Sequence, residues 1–152
     1  MSEPHSHIFE VYIKTTPERL WQALTDGEKT KQYFFGSRVE SSWNVGEPYR
    51  NFNADGTIMI EGTILEIDKP RRLVTTFVPT GEADGSMSDP GWKLTWEITP
   101  LGDACKLLLI HDGLEKDSDD ARSTFEGWSK ILSGLKTLLE TGQPLVIDEP
   151  SM

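Results

Sequence analysis

The chain has 152 residues, a formal net charge of −10 and one cysteine. That length suits one domain and buries about 70% of the unfolded surface, enough for a core without staples. The acidity argues against nucleic-acid or anionic-membrane partners, which select basic patches, and a lone Cys105 excludes an internal disulfide.

No apolar run has signal-peptide character or reaches bilayer length, so a cytoplasmic protein with no membrane insertion is expected. Five tryptophans and six phenylalanines must line something large, either a packed core or an aromatic cavity.

Residues 1–7 read as a flexible lead, and 146–152 as a second tail. His5 and His7 could pair on a metal, but no third ligand stands nearby, so no metal is expected. Ile8 to Lys14 alternates as a strand, with Phe9, Val11 and Ile13 on one face. In TTPERLWQALTDG, Thr15 and Glu18 fit a capping box and Pro17 suits a first helical turn. Leu20, Trp21 and Leu24 make the apolar face of this short helix. Gly27 interrupts it, and Glu28 to Phe34 predicts a second short helix turning at Gly36.

Strands are predicted at Arg38–Trp43 and Tyr49–Asn53, with a turn at 44–48 between them. Asp55-Gly56 is a hairpin signal leading into Thr57–Asp68, and Arg72–Val78 follows with Leu73, Thr75 and Phe77 on one face. Parity in GTILEI is ambiguous, so a bulge is expected there and Glu66 could point inward or outward. Thr80 to Gly91 is a long connection or a lid. Trp92 to Thr99 shows the clearest alternation: Trp92, Leu94, Trp96 and Ile98 face one way, Lys93, Thr95 and Glu97 the other. After a turn at 100–103, Cys105, Leu107, Leu109 and His111 share a face. Leu108 and Ile110 fall opposite, where exposed apolar residues suggest a weak homodimer. Asp112 to Asp120 reads as an acidic loop.

ARSTFEGWSKILSGLKTLLETG then predicts a long amphipathic helix, capped by Ser118 and stopped at Gly142. Ala121, Phe125, Trp128, Leu132, Leu135 and Leu139 form one stripe; Gly127, Ile131, Gly134 and Leu138 form its neighbour. Each of the two glycines costs ~1 kcal/mol against alanine, so each marks either a close backbone approach or space for a ligand. Strand, two short helices, about six hairpin-linked strands and one long helix make an α+β domain. Its curved antiparallel sheet needs the long helix as a cover, and a cleft lies between them.

TTPERLWQALTDGEKTKQYF, WNVGEPYRNF, GTILEIDKPRRLVTTF, WKLTWEITPLGDACKLLLIHDGL and GWSKILSGLKTLLETG resemble, in order, the activator-of-heat-shock-protein-90-ATPase-like family of the START/Bet v 1-like superfamily. The resemblance runs over residues 8–145, which make the single domain. It implies the helix-grip fold and a cavity that in the superfamily commonly holds lipids, sterols or polyketides. It does not imply one reaction, and this stretch has no counterpart of the separate N-terminal domain expected of the eukaryotic activator.

No glycine-rich loop, zinc spacing or nucleophile motif is present, so no catalytic residue or cofactor is assigned. The expected ligand-binding set is Phe34, Phe52, Phe77, Trp92, Trp96, His111, Phe125, Trp128 and Leu132. His111 reads as a rim anchor, a general base, or a histidine tied to a neighbouring loop. Tyr33, Tyr49 and Arg50 are lesser polar candidates, and Cys105 reads as an inert buried thiol. The leading expectation is a module that binds a small hydrophobic, lipid-like, aromatic or polyketide-like molecule. Behind it stand a cyclase or hydratase on a polyketide-like substrate and a stress-related co-chaperone of a heat-shock ATPase.

Overall fold

The period-two segments pair into one curved, seven-stranded antiparallel sheet, in a computed structural model that describes residues 4–79 and 90–147. The strands are β1 (Pro4–Ile13), β2 (Arg38–Ser41), β3 (Pro48–Phe52), β4 (Ile58–Asp68), β5 (Arg72–Pro79), β6 (Trp92–Leu101) and β7 (Ala104–Glu115). The helices are α1 (Pro17–Thr25), α2 (Gly27–Thr30) and α3 (Asp119–Thr141). Strand order is β1-β7-β6-β5-β4-β3-β2, so β1 and β2 are opposite edges, and α1 and α2 carry the chain from one to the other.

Alternation sets the register as expected on β6, where Trp92, Leu94, Trp96 and Ile98 are all buried and Lys93 is exposed. Cys105, Leu107, Leu109 and His111 are likewise buried on β7, while Leu108 and Ile110 are half-buried on the convex face. The Cys105 thiol donates to Thr15 O at 3.5 Å, and burial pushes its pKa up.

Two ends differ from expectation for one shared reason. β1 begins at Pro4, inside the segment read as a lead, and β7 runs on to Glu115, into the segment read as an acidic loop. Each supplies the other's partner: His5 pairs with Leu114 and His7 with His111, across a bulge. His7 is further tied by a 2.7 Å bond between its Nε2 and Ala121 O. Among the described residues no cluster of three metal-ligating side chains occurs around these histidines or elsewhere.

The first helix is capped by Thr16 rather than Thr15. Thr16 Oγ1 accepts from Arg19 N at 3.2 Å, which places Pro17 at the first helical position, where its missing N–H costs nothing. Thr15 is buried instead, with its hydroxyl unpartnered. α2 stops at Thr30, short of Phe34. The Thr30 hydroxyl donates to Ser37 O and accepts from Val39 N, both at 3.0 Å, and the chain then turns through left-handed Phe35 and Gly36. On β4 a register shift at Leu65 is the expected bulge. It turns Glu66 outward, to Arg72 at 3.5 Å.

α3 has the expected caps: Ser118 Oγ accepts from Ala121 N, and Gly142 is left-handed. Its buried face is Ala121, Trp128, Ile131, Leu132, Gly134, Leu135, Leu138 and Leu139. Phe125, expected on that face, is 52% exposed. It lies about 60° round the axis from Trp128, where the sheet has reached its edge strand. There its ring meets Phe9 at 5.2 Å and His7 at 5.4 Å.

Candidate functional site

Between α3 and the concave face three rings stand across the cleft. Phe34 comes from the turn after α2, Phe77 from β5 and Trp128 from α3. Phe34 meets Trp128 edge-on at 5.7 Å, and Phe77 meets it at 5.6 Å. All three line two spaces, an outer pocket of about 370 Å³ and an inner chamber of about 40 Å³. They are therefore a partition.

The outer pocket opens beside the first half of α3. Phe35, Met59, Pro79, Trp92, Gly127 and Ile131 line it, with Asp120, Ser123 and Thr124 at the helix end. Gly127 leaves it open, since a Cβ there would meet nothing nearer than the Phe35 ring at 4.0 Å. Gly134, two stripe positions on, serves the other purpose: its Cβ would lie 3.2 Å from Tyr33 Cβ. Gly134 thus marks a close approach to another backbone, and Gly127 stands beside open space.

Trp128 is held in the partition by His111. The indole Nε1–H donates to His111 Nδ1 at 2.8 Å. An imidazole that accepts at Nδ1 is neutral and carries its proton on Nε2, and Nε2 has no partner. The ring lies 4.8 Å from Trp92 and 5.5 Å from Phe77, edge-on to both. Burial, and after it nearby His7, lower its pKa to about 4 against the opposing charge of Asp112. His111 is completely buried behind the aromatic wall, not at the rim, because β7 continues past it and α3 folds over it. It positions a wall residue and does not line the pocket.

The inner chamber has a polar side. Tyr49, Asn51, Thr75 and Thr30 line it among Leu24, Val39, Trp43, Leu73, Leu94 and Trp96. Tyr49 reaches across β4 to donate to Thr76 O at 2.9 Å. Gly62 makes room for that reach, since a Cβ there would come 2.4 Å from Tyr49 Cε1. Tyr33 donates to Ala23 O at 2.7 Å. Burial raises the pKa of both phenols, so both stay protonated.

Of the expected residues, the fold brings together Phe34, Phe77 and Trp128, with Trp92 on the outer side and Trp96 on the inner. Leu132 is core and lines neither space. Phe52 alternates with buried Asn51 on β3, so it falls in a surface groove with Glu40 and Arg50. Phe125 lies outside the cleft, as described. Arg50 is paired with Glu61 on the sheet surface. The suggested lid at 80–91 falls largely outside the described residues. Asn51 and Thr75 were not expected. Asn51 shares strand parity with Tyr49 in PYRNF, which is the signal that a polar group sits on the inward face.

A family model described as Activator of Hsp90 ATPase homolog 1-like protein matches residues 14–140. Among curated proteins, none matches the sequence. Solved structures with the same fold include the Aha1 dimer from Colwellia psychrerythraea: 17% identity, TM-score 0.73, covering 91% of this chain and 98% of that one. An HSP90 activator from Plasmodium falciparum is 22% identical, with TM-score 0.70 and coverage of 88% and 95%. DynU16, from the dynemicin biosynthetic locus, is 19% identical, with TM-score 0.74; the match spans 91% of this chain and 48% of that one. Among the described residues no helix is long and apolar enough to cross a membrane.

Proposed function

The chain belongs to the Activator of Hsp90 ATPase homolog 1-like family, and from that premise we propose that it binds a small apolar molecule between sheet and helix. One observation carries the reading: an open pocket of about 370 Å³ walled by Phe34, Phe35, Phe77, Trp92 and Trp128. That volume is within the range of small-molecule sites, and the wall has their chemistry. A helix that keeps glycine at 127, at a cost of ~1 kcal/mol, keeps the space open. Turnover would need an acid or base against the ligand. Asp120 at the exposed rim is the one titratable side chain among the described residues lining this pocket.

The experiment is native mass spectrometry of the protein purified from its own host, beside Gly127→Leu. The leucine would project into the outer pocket. A retained small-molecule mass in the wild type and none in Gly127→Leu supports the reading. Bare protein in both, with tryptophan emission unmoved by flavonoids, fatty acids and sterols, sinks it.

A heat-shock ATPase partner is the second reading, supported by the family's description and by the HSP90 activator among the structural neighbours. An unchanged ATPase rate on adding this protein to its host's heat-shock ATPase would remove it. Weak self-association through the convex face is supported by Ile8, 65% exposed, beside Ile110 on β7. Sedimentation showing a monomer at every loading would end that reading.

A further inference from the structure

We propose that the inner chamber receives a hydrogen-bond donor: the hydroxyl of an alcohol or phenol whose apolar body occupies the outer pocket. This rests on the binding reading above and adds the chemistry of the ligand's polar end.

Counting protons on the chamber wall gives the polarity. Ser37 has one hydroxyl proton, and it goes to Phe34 O at 2.8 Å. Ser37 Oγ must therefore accept from Asn51 Nδ2, 3.0 Å away. That contact fixes the carboxamide with its nitrogen toward Ser37, which does not line the chamber, and its oxygen on the other side. Among the described residues no donor is bonded to Asn51 Oδ1. Tyr49 likewise has one proton, given to Thr76 O, so its oxygen can only accept; among the described residues its one donor is Thr75 Oγ1 at a long 3.4 Å. Thr30 is closed, its hydroxyl both donating and accepting at 3.0 Å. At Asn51 and Tyr49 the wall thus offers acceptors lacking good donors.

The same wall excludes other heads. No charged side chain lines the chamber, so a carboxylate would be buried without a counter-ion. A ketone or ether brings no proton and would leave both of these acceptors unmet. A chamber of about 40 Å³ holds a hydroxyl group and little more. Entry is through the partition, where Phe34 sits outside helix and strand, next to left-handed Phe35.

The test is methyl NMR and calorimetry on the full chain with 4-butylphenol, 4-butylanisole and decanoic acid. Leu73 and Leu94 line the chamber alone; Met59 and Ile131 line the outer pocket alone. The phenol should shift both sets and bind at least tenfold more tightly than the anisole. The anisole and the acid should shift only Met59 and Ile131. Asn51→Leu should bring the phenol-to-anisole ratio close to one with the anisole affinity unchanged; should that variant not fold, the wild-type ratio decides alone. Equal affinities, or a phenol that leaves Leu73 and Leu94 still, overturn this inference while sparing the binding reading. No shift at either set with any probe overturns both.

Discussion

The two glycines on the buried side of α3 can be separated by one methyl group each. Alanine is favoured over glycine within a helix by ~1 kcal/mol. At Gly127 the added Cβ meets only the Phe35 ring, at 4.0 Å, so Gly127→Ala should keep that whole gain and raise Tm by about 2–4 °C. At Gly134 the Cβ would lie 3.2 Å from Tyr33 Cβ, 3.6 Å from its Cα and 3.7 Å from its carbonyl oxygen. Tyr33 cannot easily yield, because its hydroxyl holds Ala23 O at 2.7 Å and its amide holds Thr30 O at 3.1 Å. Overpacking of this kind costs ~1–3 kcal/mol. Gly134→Ala should therefore be neutral or destabilising by up to ~2 kcal/mol after the propensity gain. Urea unfolding followed by tryptophan emission measures both, read as midpoints at constant slope. Equal stabilisation by the two alanines would refute the packing of α3 on Tyr33, and with it the claim that only Gly127 faces open space.

His111 makes stability depend on pH. Its folded pKa, about 4, lies below the ordinary histidine value, so the unfolded chain binds the proton more readily. The stability is complete above about pH 6.5 and falls as pH drops toward 4. Between pH 7 and pH 5 the loss should be ~2 kcal/mol. His111→Gln keeps an acceptor for the Trp128 N–H and removes the titration, so it should flatten that segment; parallel curves for the two proteins would contradict the assignment. Phe125→Ala should cost under ~1 kcal/mol because the ring is half exposed, whereas buried Trp21→Ala should cost ~3–5 kcal/mol. Comparable losses in thermal unfolding would mean that Phe125 is core after all.

Sequence by itself determined the elements whose signals are local. Period-two alternation at Trp92–Ile98 and at Cys105–His111, the Ser118 and Gly142 caps, and the bulge in GTILEI are each set by neighbours within a few residues, and each stands in the fold. The aromatic composition left a packed core and a lined space both open, and Phe34, Phe77 and Trp128 stand between two spaces. Tertiary structure alone decided what depends on partners distant in the chain. His5 and His7 are strand because β7 continues far enough to pair with them. Phe125 lies on the periodic stripe yet outside the cleft, since a helical wheel records angle and not where the sheet ends. His111 lost the rim for the same kind of reason: its role comes from Trp128, seventeen residues on, whose indole proton settles the imidazole tautomer. Asn51 became a candidate anchor only once Ser37, fourteen residues before it, had used its one proton elsewhere. Periodicity measures exposure along one element, but the direction of a hydrogen bond is set by atoms that folding brings from several.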